Sequence, residues 1–205
     1  VREQVDQVCE HRGITVVYWV DGGLFYSKRK RKTVRACAST SKSGESDPSI
    51  VYHIISSGTS YETELLAILT RLQSLVLLPS PPRCLIVSDC LSAILSVTHF
   101  LDKPFAKQVS RVYYYYIAEI VAMVDILFRR GGGVWFFKVK SHMGVDGEGA
   151  VDSAATFAGD HGDPDPLDDE DIDYHIPLLT PSTIQFTSVQ CIYTCQSATG
   201  PGMLD

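Results

Sequence analysis

Four carboxylates in this sequence fall where a chain commonly passes from one element to the next. Asp21 follows the apolar run ITVVYWV, Glu64 lies in the first turn of an apolar-periodic stretch, Asp89 follows RCLIVS, and Asp152 opens a last helical stretch. A single acid at a strand end or helix start usually does no more than satisfy backbone donors. Four that converge on one place repel each other unless cations neutralise them. Oxygen donors in that number suit Mg²⁺ or Mn²⁺. Two such ions about 3.5–4 Å apart would activate a water and stabilise a leaving oxygen in phosphodiester displacement.

Bringing the acids together requires particular elements. Residues 14–20 are β-branched and aromatic and predict a buried strand that ends at Asp21. The basic run KRKRK (28–32) reads as the tip of a hairpin, with strands at 33–39 and 49–55 making an antiparallel meander. From Thr59 to Leu78 the apolar period becomes helical, with Ser60 and Thr63 as cap and first-turn residues, and Pro79 stops the helix. Residues 83–87 form a compact strand, and a short helix runs from there to about Leu101. Pro104 breaks the chain before a long helix at 110–130 that opens with four tyrosines, 113–116. Those tyrosines point in different directions around a helix and so suit packing better than base stacking. Gly131 to Gly133 lead into a strand at 134–139, and 151–158 is the last helix. The order βββ-α-β-α-α-β-α gives an α/β fold: a mixed five-stranded sheet, three antiparallel strands then two parallel, flanked by helices.

At this point the sequence resembles a known family. The stretches VVYWVDGGL, GTSYETELLAILTRLQSL, CLIVSDCLSAI and VKSHMGVDGEGAVDSAATFA are similar to type 1 ribonucleases H, particularly the domain of non-LTR retrotransposon reverse transcriptase polyproteins. The likeness covers about 145 residues in the family's order and implies a ribonuclease H-like fold. It implies that Asp21, Glu64, Asp89 and Asp152 hold two Mg²⁺ ions (Mn²⁺ possible), and that His142, ten residues before Asp152, assists proton transfer or product release. The activity implied is hydrolysis of the RNA strand of an RNA–DNA hybrid. Ser60 and Tyr61 stand where the family meets the hybrid's minor groove, at which 2′-hydroxyls separate RNA from DNA. The sequence also departs from the pattern. Glu148 and Gly149 stand where Asn and Glu are common, and Cys90 stands where Ser is common. The basic handle of cellular members is reduced to Lys103, Lys107 and Arg111. Two rival readings are a silent ribonuclease H-fold module kept for nucleic-acid binding or assembly, and a DNA-cutting relative. Four retained acids speak against the first; the Val-Lys-Ser-His loop and the Glu64 helix speak against the second.

Bulk properties are compatible with a nuclease. The chain has 205 residues, 45% of them hydrophobic and 20% charged, as in ordinary globular proteins. No apolar run reaches the ~18–20 residues that span a bilayer. Six cysteines lack a CxxC pair, which argues against a zinc or disulfide framework and for an intracellular compartment, nucleus or cytoplasm. All 18 Lys and Arg precede residue 141, against 12 acids there, whereas residues 141–205 carry 12 acids and neither Lys nor Arg. The body can therefore meet a polyanion, and Lys28, Arg29, Lys30, Arg31 and Lys32 are its natural phosphate contacts; a solvated hairpin tip and a nuclear import signal are the other readings of that run. The sequence divides into a polar lead-in (1–13) that is a short helix or a frayed segment, the ribonuclease H domain (14–158), an acidic linker (159–175) and a C-terminal arm (176–205). Residues 176–192 regain β-branched character and suit either a docked strand or an extended arm. The chain does not begin with Met and has no leader pattern, which reads as a piece of a larger polypeptide, with a fused or associated reverse transcriptase as a natural neighbour.

Overall fold

The computed structural model describes residues 1–27, 29, 32–41, 50–54, 59–140, 146–161 and 190–192. Along the chain these form α1 (Arg2–Arg12), β1 (Val16–Ser27), β2 (Lys32–Ser41), β3 (Ile50–Ile54), α2 (Ser60–Val76) and β4 (Arg83–Ser88). They continue with α3 (Leu91–Thr98), α4 (Phe105–Val109), α5 (Tyr114–Arg129), β5 (Gly133–Lys138), α6 (Asp146–His161) and β6 (Gln190–Ile192). The strands make one sheet in the order β3-β2-β1-β4-β5-β6. β1, β2 and β3 pair antiparallel, and β4, β5 and β6 extend the sheet from β1 in parallel. All five expected strands are present with the expected directions. β6 is a sixth: the arm places a short strand beside β5, with Cys191 opposite Phe136.

Alternation along the strands divides the core in two. Val17, Trp19, Leu85, Val87, Trp135 and Phe137 face α1 and α6, packing with Val5, Val151 and Ala155. Tyr18, Val20, Cys84, Ile86, Val134 and Phe136 face α2, α3 and α5, packing with Leu65, Ile68, Leu72, Ile94, Ile117 and Val121. Near-continuous apolar runs in β4 and β5 follow from burial on both faces. Among the described residues no helix is long and apolar enough to cross a membrane.

Helix α2 carries Glu64, so its seating on the sheet decides where that carboxylate lies. Thr59 caps the helix, its hydroxyl accepting from the Glu62 amide at 3.3 Å, one residue earlier than the Ser60 cap expected. Two buried arginines fasten α2 to β2 in reciprocal fashion. Arg35 on β2 pairs with Glu62 on α2, and Arg71 on α2 donates to the hydroxyl (2.6 Å) and carbonyl (3.2 Å) of Ser39 on β2. The Arg71 guanidinium also lies 4.3 Å from the Tyr18 ring centroid.

Three expectations about element ends are corrected. β1 does not stop at Asp21 but runs on to Ser27, because its ladder with β2 continues as far as Ser27 opposite Lys32. Asp152 does not open the last helix; α6 begins at Asp146, and burial of Val151, Ala155 and Ala158 against the sheet outweighs the ~1 kcal/mol that each of Gly147 and Gly149 costs in a helix. The long helix expected from residue 110 starts at Tyr114 and is preceded by the short α4. Tyr113 interrupts the two with φ 59° and ψ 32°, a left-handed backbone unusual for an aromatic residue. Tyr113, Tyr114 and Tyr116 pack against the α2 core.

Candidate metal centre

The parallel ladder between β1 and β4 ends with Trp19 opposite Val87. The carboxylates stand just beyond it. Asp21 remains held by β2, opposite Ala38, where β1 has outlasted its parallel neighbour. Asp89 follows the last residue of β4, and the Cys90 amide donates to the Ser88 hydroxyl at 3.0 Å as the chain turns into α3.

Glu64 comes from α2, one turn into the helix, and is 6% exposed. Its approach depends on Gly22. A Cβ at Gly22 would lie 2.3 Å from the carbonyl carbon and oxygen of Thr63 and 2.6 Å from the Glu64 amide nitrogen. Only glycine allows strand and helix backbones to touch here. The contact also lets the Gly22 amide donate to the Glu64 carboxylate. Asp21, Glu64 and Asp89 each bring one carboxylate oxygen within 4.8 Å of the other two. Asp152, exposed on α6, lines the same cavity of about 260 Å³ as Asp21, Ser88, Asp89 and Val139. Thus three of the four acids cluster, and the fourth lines the cavity that Asp21 and Asp89 border without joining the cluster.

The electrostatics are those of anions short of a cation. Burial, then the charges of Asp21 and Asp89, push the Glu64 carboxyl up to about 9, against the Gly22 hydrogen bond and Lys138, which favour its charged form. Glu64 Oε2 is buried and accepts no hydrogen bond. A buried, unsatisfied carboxylate oxygen beside two more carboxylates is a costly arrangement unless a cation completes it. The donor set is all oxygen and fits a hard divalent ion.

The other sequence candidates are more dispersed. Ser60 and Tyr61 lie one turn before Glu64, so they border the cluster along α2. The Tyr61 ring packs 6.0 Å from that of Tyr113, and burial raises its phenol above the ordinary value. Arg29 is exposed at the β1–β2 turn, where its guanidinium donates to the Asp160 carbonyl at 3.5 Å. The backbone of Lys32 pairs with Ser27. Lys28, Lys30, Arg31 and His142 lie outside the described residues, as do most of the acidic segment and arm.

Three contributors carry little or no signal in the sequence. Gly22 is visible only as part of an Asp-Gly pair, a sequence too common to indicate a backbone contact. Glu62 is indistinguishable by type from Glu64, although Arg35 and Tyr116 occupy its two oxygens. Lys138 carries no signal at all, yet it ends β5 opposite Ser88.

No protein-family model and no curated protein sequence matches this chain. Solved structures do. A structure of the foamy viral protease-reverse transcriptase in complex with dsDNA is 15% identical, with TM-score 0.54 over 71% of this chain and 94% of that one. The PFV RNase H domain in solution is 12% identical, with TM-score 0.52 over 70% and 93%. LC9-RNase H1, a type 1 RNase H with the type 2 active-site motif, is 12% identical, with TM-score 0.51 over 71% and 72%. The fold is therefore ribonuclease H-like.

Proposed function

We propose that this chain is a divalent-metal-dependent endoribonuclease that hydrolyses the RNA strand of RNA–DNA hybrids, acting within a retroelement polyprotein. The observation that carries the reading is the convergence of Asp21, Glu64 and Asp89, with a bare buried oxygen on Glu64, just beyond the parallel ladder of β1 and β4. These three, with Asp152 from across the cavity, would hold two Mg²⁺ ions, Mn²⁺ being the alternative. Bound there, the ions would lower the pKa of a water and offset charge on the phosphoryl oxygens.

The chain's own groups set the conditions for that chemistry. Gly22 holds the Glu64 carboxylate by its amide, and burial keeps that carboxylate out of bulk water. Ser60 and Tyr61 border the cluster, where contact with 2′-hydroxyls would distinguish RNA from DNA. Residues 28–32 supply non-specific phosphate attraction from the hairpin end. His142 carries a proton to or from the leaving oxygen. The polyprotein context draws on the likeness to a foamy viral protease-reverse transcriptase.

The test is cleavage of a hybrid with labelled RNA, with and without Mg²⁺, beside single-stranded RNA and duplex DNA. The expected result is Mg²⁺-dependent cutting of the hybrid alone, abolished in Asp89→Asn while far-UV circular dichroism is unchanged. Cutting that survives in Asp89→Asn, or that ignores Mg²⁺, refutes the assignment.

A further inference from the structure

The acids share their end of the sheet with a cation. Lys138 is the last residue of β5, and its partner across the ladder is Ser88, immediately before Asp89. Val134 and Phe136 belong to the core under α2, α3 and α5, so Lys138, two residues after Phe136, projects on that same face. This is the face from which Glu64 comes. The half-buried Lys138 ammonium donates to the Val139 carbonyl. Val139 in turn lines the acid cavity and donates its amide to the Ser88 carbonyl at 3.1 Å. The ammonium is thus tied to the wall of the cavity, and its field reaches Glu64.

We propose that Lys138 is a built-in counter-cation of the acid cluster that weakens, and so sets, the affinity of the chain for its divalent ion. The inference rests on the metal-binding reading above and adds a positioning residue to it. With no ion bound, the ammonium offsets part of the repulsion among Asp21, Glu64 and Asp89. When a divalent ion enters, the same ammonium repels it. A cluster with these acids and a neutral residue at 138 would hold the ion more tightly, and its metal-free form would be less stable. Lys138 therefore fixes the Mg²⁺ concentration at which the site fills.

The full chain is titrated with Mn²⁺ and with Mg²⁺ by calorimetry, as wild type, Lys138→Met, Lys138→Gln, Lys138→Arg and Asp89→Asn. Folding is checked by circular dichroism. Lys138→Met and Lys138→Gln are expected to bind both ions about three- to tenfold more tightly, the order of effect of removing one nearby like charge in largely aqueous surroundings. Lys138→Arg is expected to match wild type. The Tm without ion should fall in the neutral variants, and the rise on adding ion should grow. A merely structural role for Lys138 would lower Tm and leave the ion affinity alone, and that result overturns the proposal. An ion affinity equal to or weaker than wild type in both folded neutral variants also overturns it. If wild type binds neither ion, or Asp89→Asn binds like wild type, the metal reading itself fails and the proposal with it.

Discussion

Glu62 and Glu64 stand two residues apart on one helix, both buried, and meet opposite fates. Arg35 and the Tyr116 hydroxyl satisfy Glu62, whereas Glu64 faces two more carboxylates with one oxygen bare. The Glu64 proton is therefore held more tightly in the folded chain than in the unfolded one, with a pKa raised from 4.5 to about 9. Its contribution to the stability of the metal-free protein is complete below pH 4.5 and is lost as pH rises toward about 9. Thermal unfolding in chelator between pH 5 and pH 9 should show a falling Tm, and Glu64→Gln should flatten that fall. Saturating Mg²⁺ should also remove it, because an ion pairs with the charged form. A slope identical in Glu64→Gln and wild type would show that Glu64 titrates normally. At this scale the meeting of Asp21, Glu64 and Asp89 was legible from type, order and position, whereas Asp152 stands apart from it, within a helix that begins at Asp146. What the sequence could not supply was which glutamate of Glu62-Thr63-Glu64 finds a cationic partner, since Arg35 lies in a distant strand, nor that Gly22 is required by a backbone contact.

Element α2 delivers Glu64, and its rotation is fixed by what grips its first turn. Glu62 joins three elements there: Arg35 of β2 pairs with one oxygen, and the Tyr116 hydroxyl of α5 donates to the other at 3.2 Å. Removing one partner of a buried pair costs more than the pair contributes, because the remaining charge stays desolvated. Glu62→Ala is therefore expected to destabilise the chain by about 3–5 kcal/mol in urea unfolding. Tyr116→Phe, which removes a neutral donor, should cost only about 1 kcal/mol. Equal small losses in the two variants would mean that the pair does not anchor the helix. Helices and strands with a strong apolar period were readable at this scale, and their ends were not. β1 overran Asp21 because pairing with β2 is non-local, and α6 began early because sheet packing outweighed its glycines. The left-handed Tyr113, which splits the expected helix, has no local sequence signature. β6 was undecidable from residues 176–192 alone, because a three-residue strand exists only through its partner β5.

Across the whole molecule, charge is divided between a basic body and an acidic C-terminal third. The structure brings the two close at one point: Arg29 at the hairpin turn touches the Asp160 carbonyl near the end of α6, and residues 162–173 attach at that end. Replacing Lys28, Arg29, Lys30, Arg31 and Lys32 with Ser should weaken hybrid binding and flatten its salt dependence. The slope should fall by up to about 0.9 log units for each phosphate no longer neutralised, with the saturated rate little changed. An unaltered salt slope would reduce the run to a solvated turn. The acidic segment gives the complementary case. Asp163, Asp165, Asp168, Asp169, Glu170, Asp171 and Asp173 are tethered within a few residues of that turn, so their effective concentration there is high. Competition with phosphates for the same bases is the outcome to test against a plain linker. Changing all seven to Asn or Gln is expected to tighten hybrid binding at low salt, and the gain should fade toward about 0.15 M, where the screening length shrinks to about 8 Å. In the background with Ser at 28–32 the same neutralisation should do much less, because the bases it would free are gone. Equal gains in both backgrounds would point to net charge alone, and no gain in either would leave the segment a solvated connection to β6.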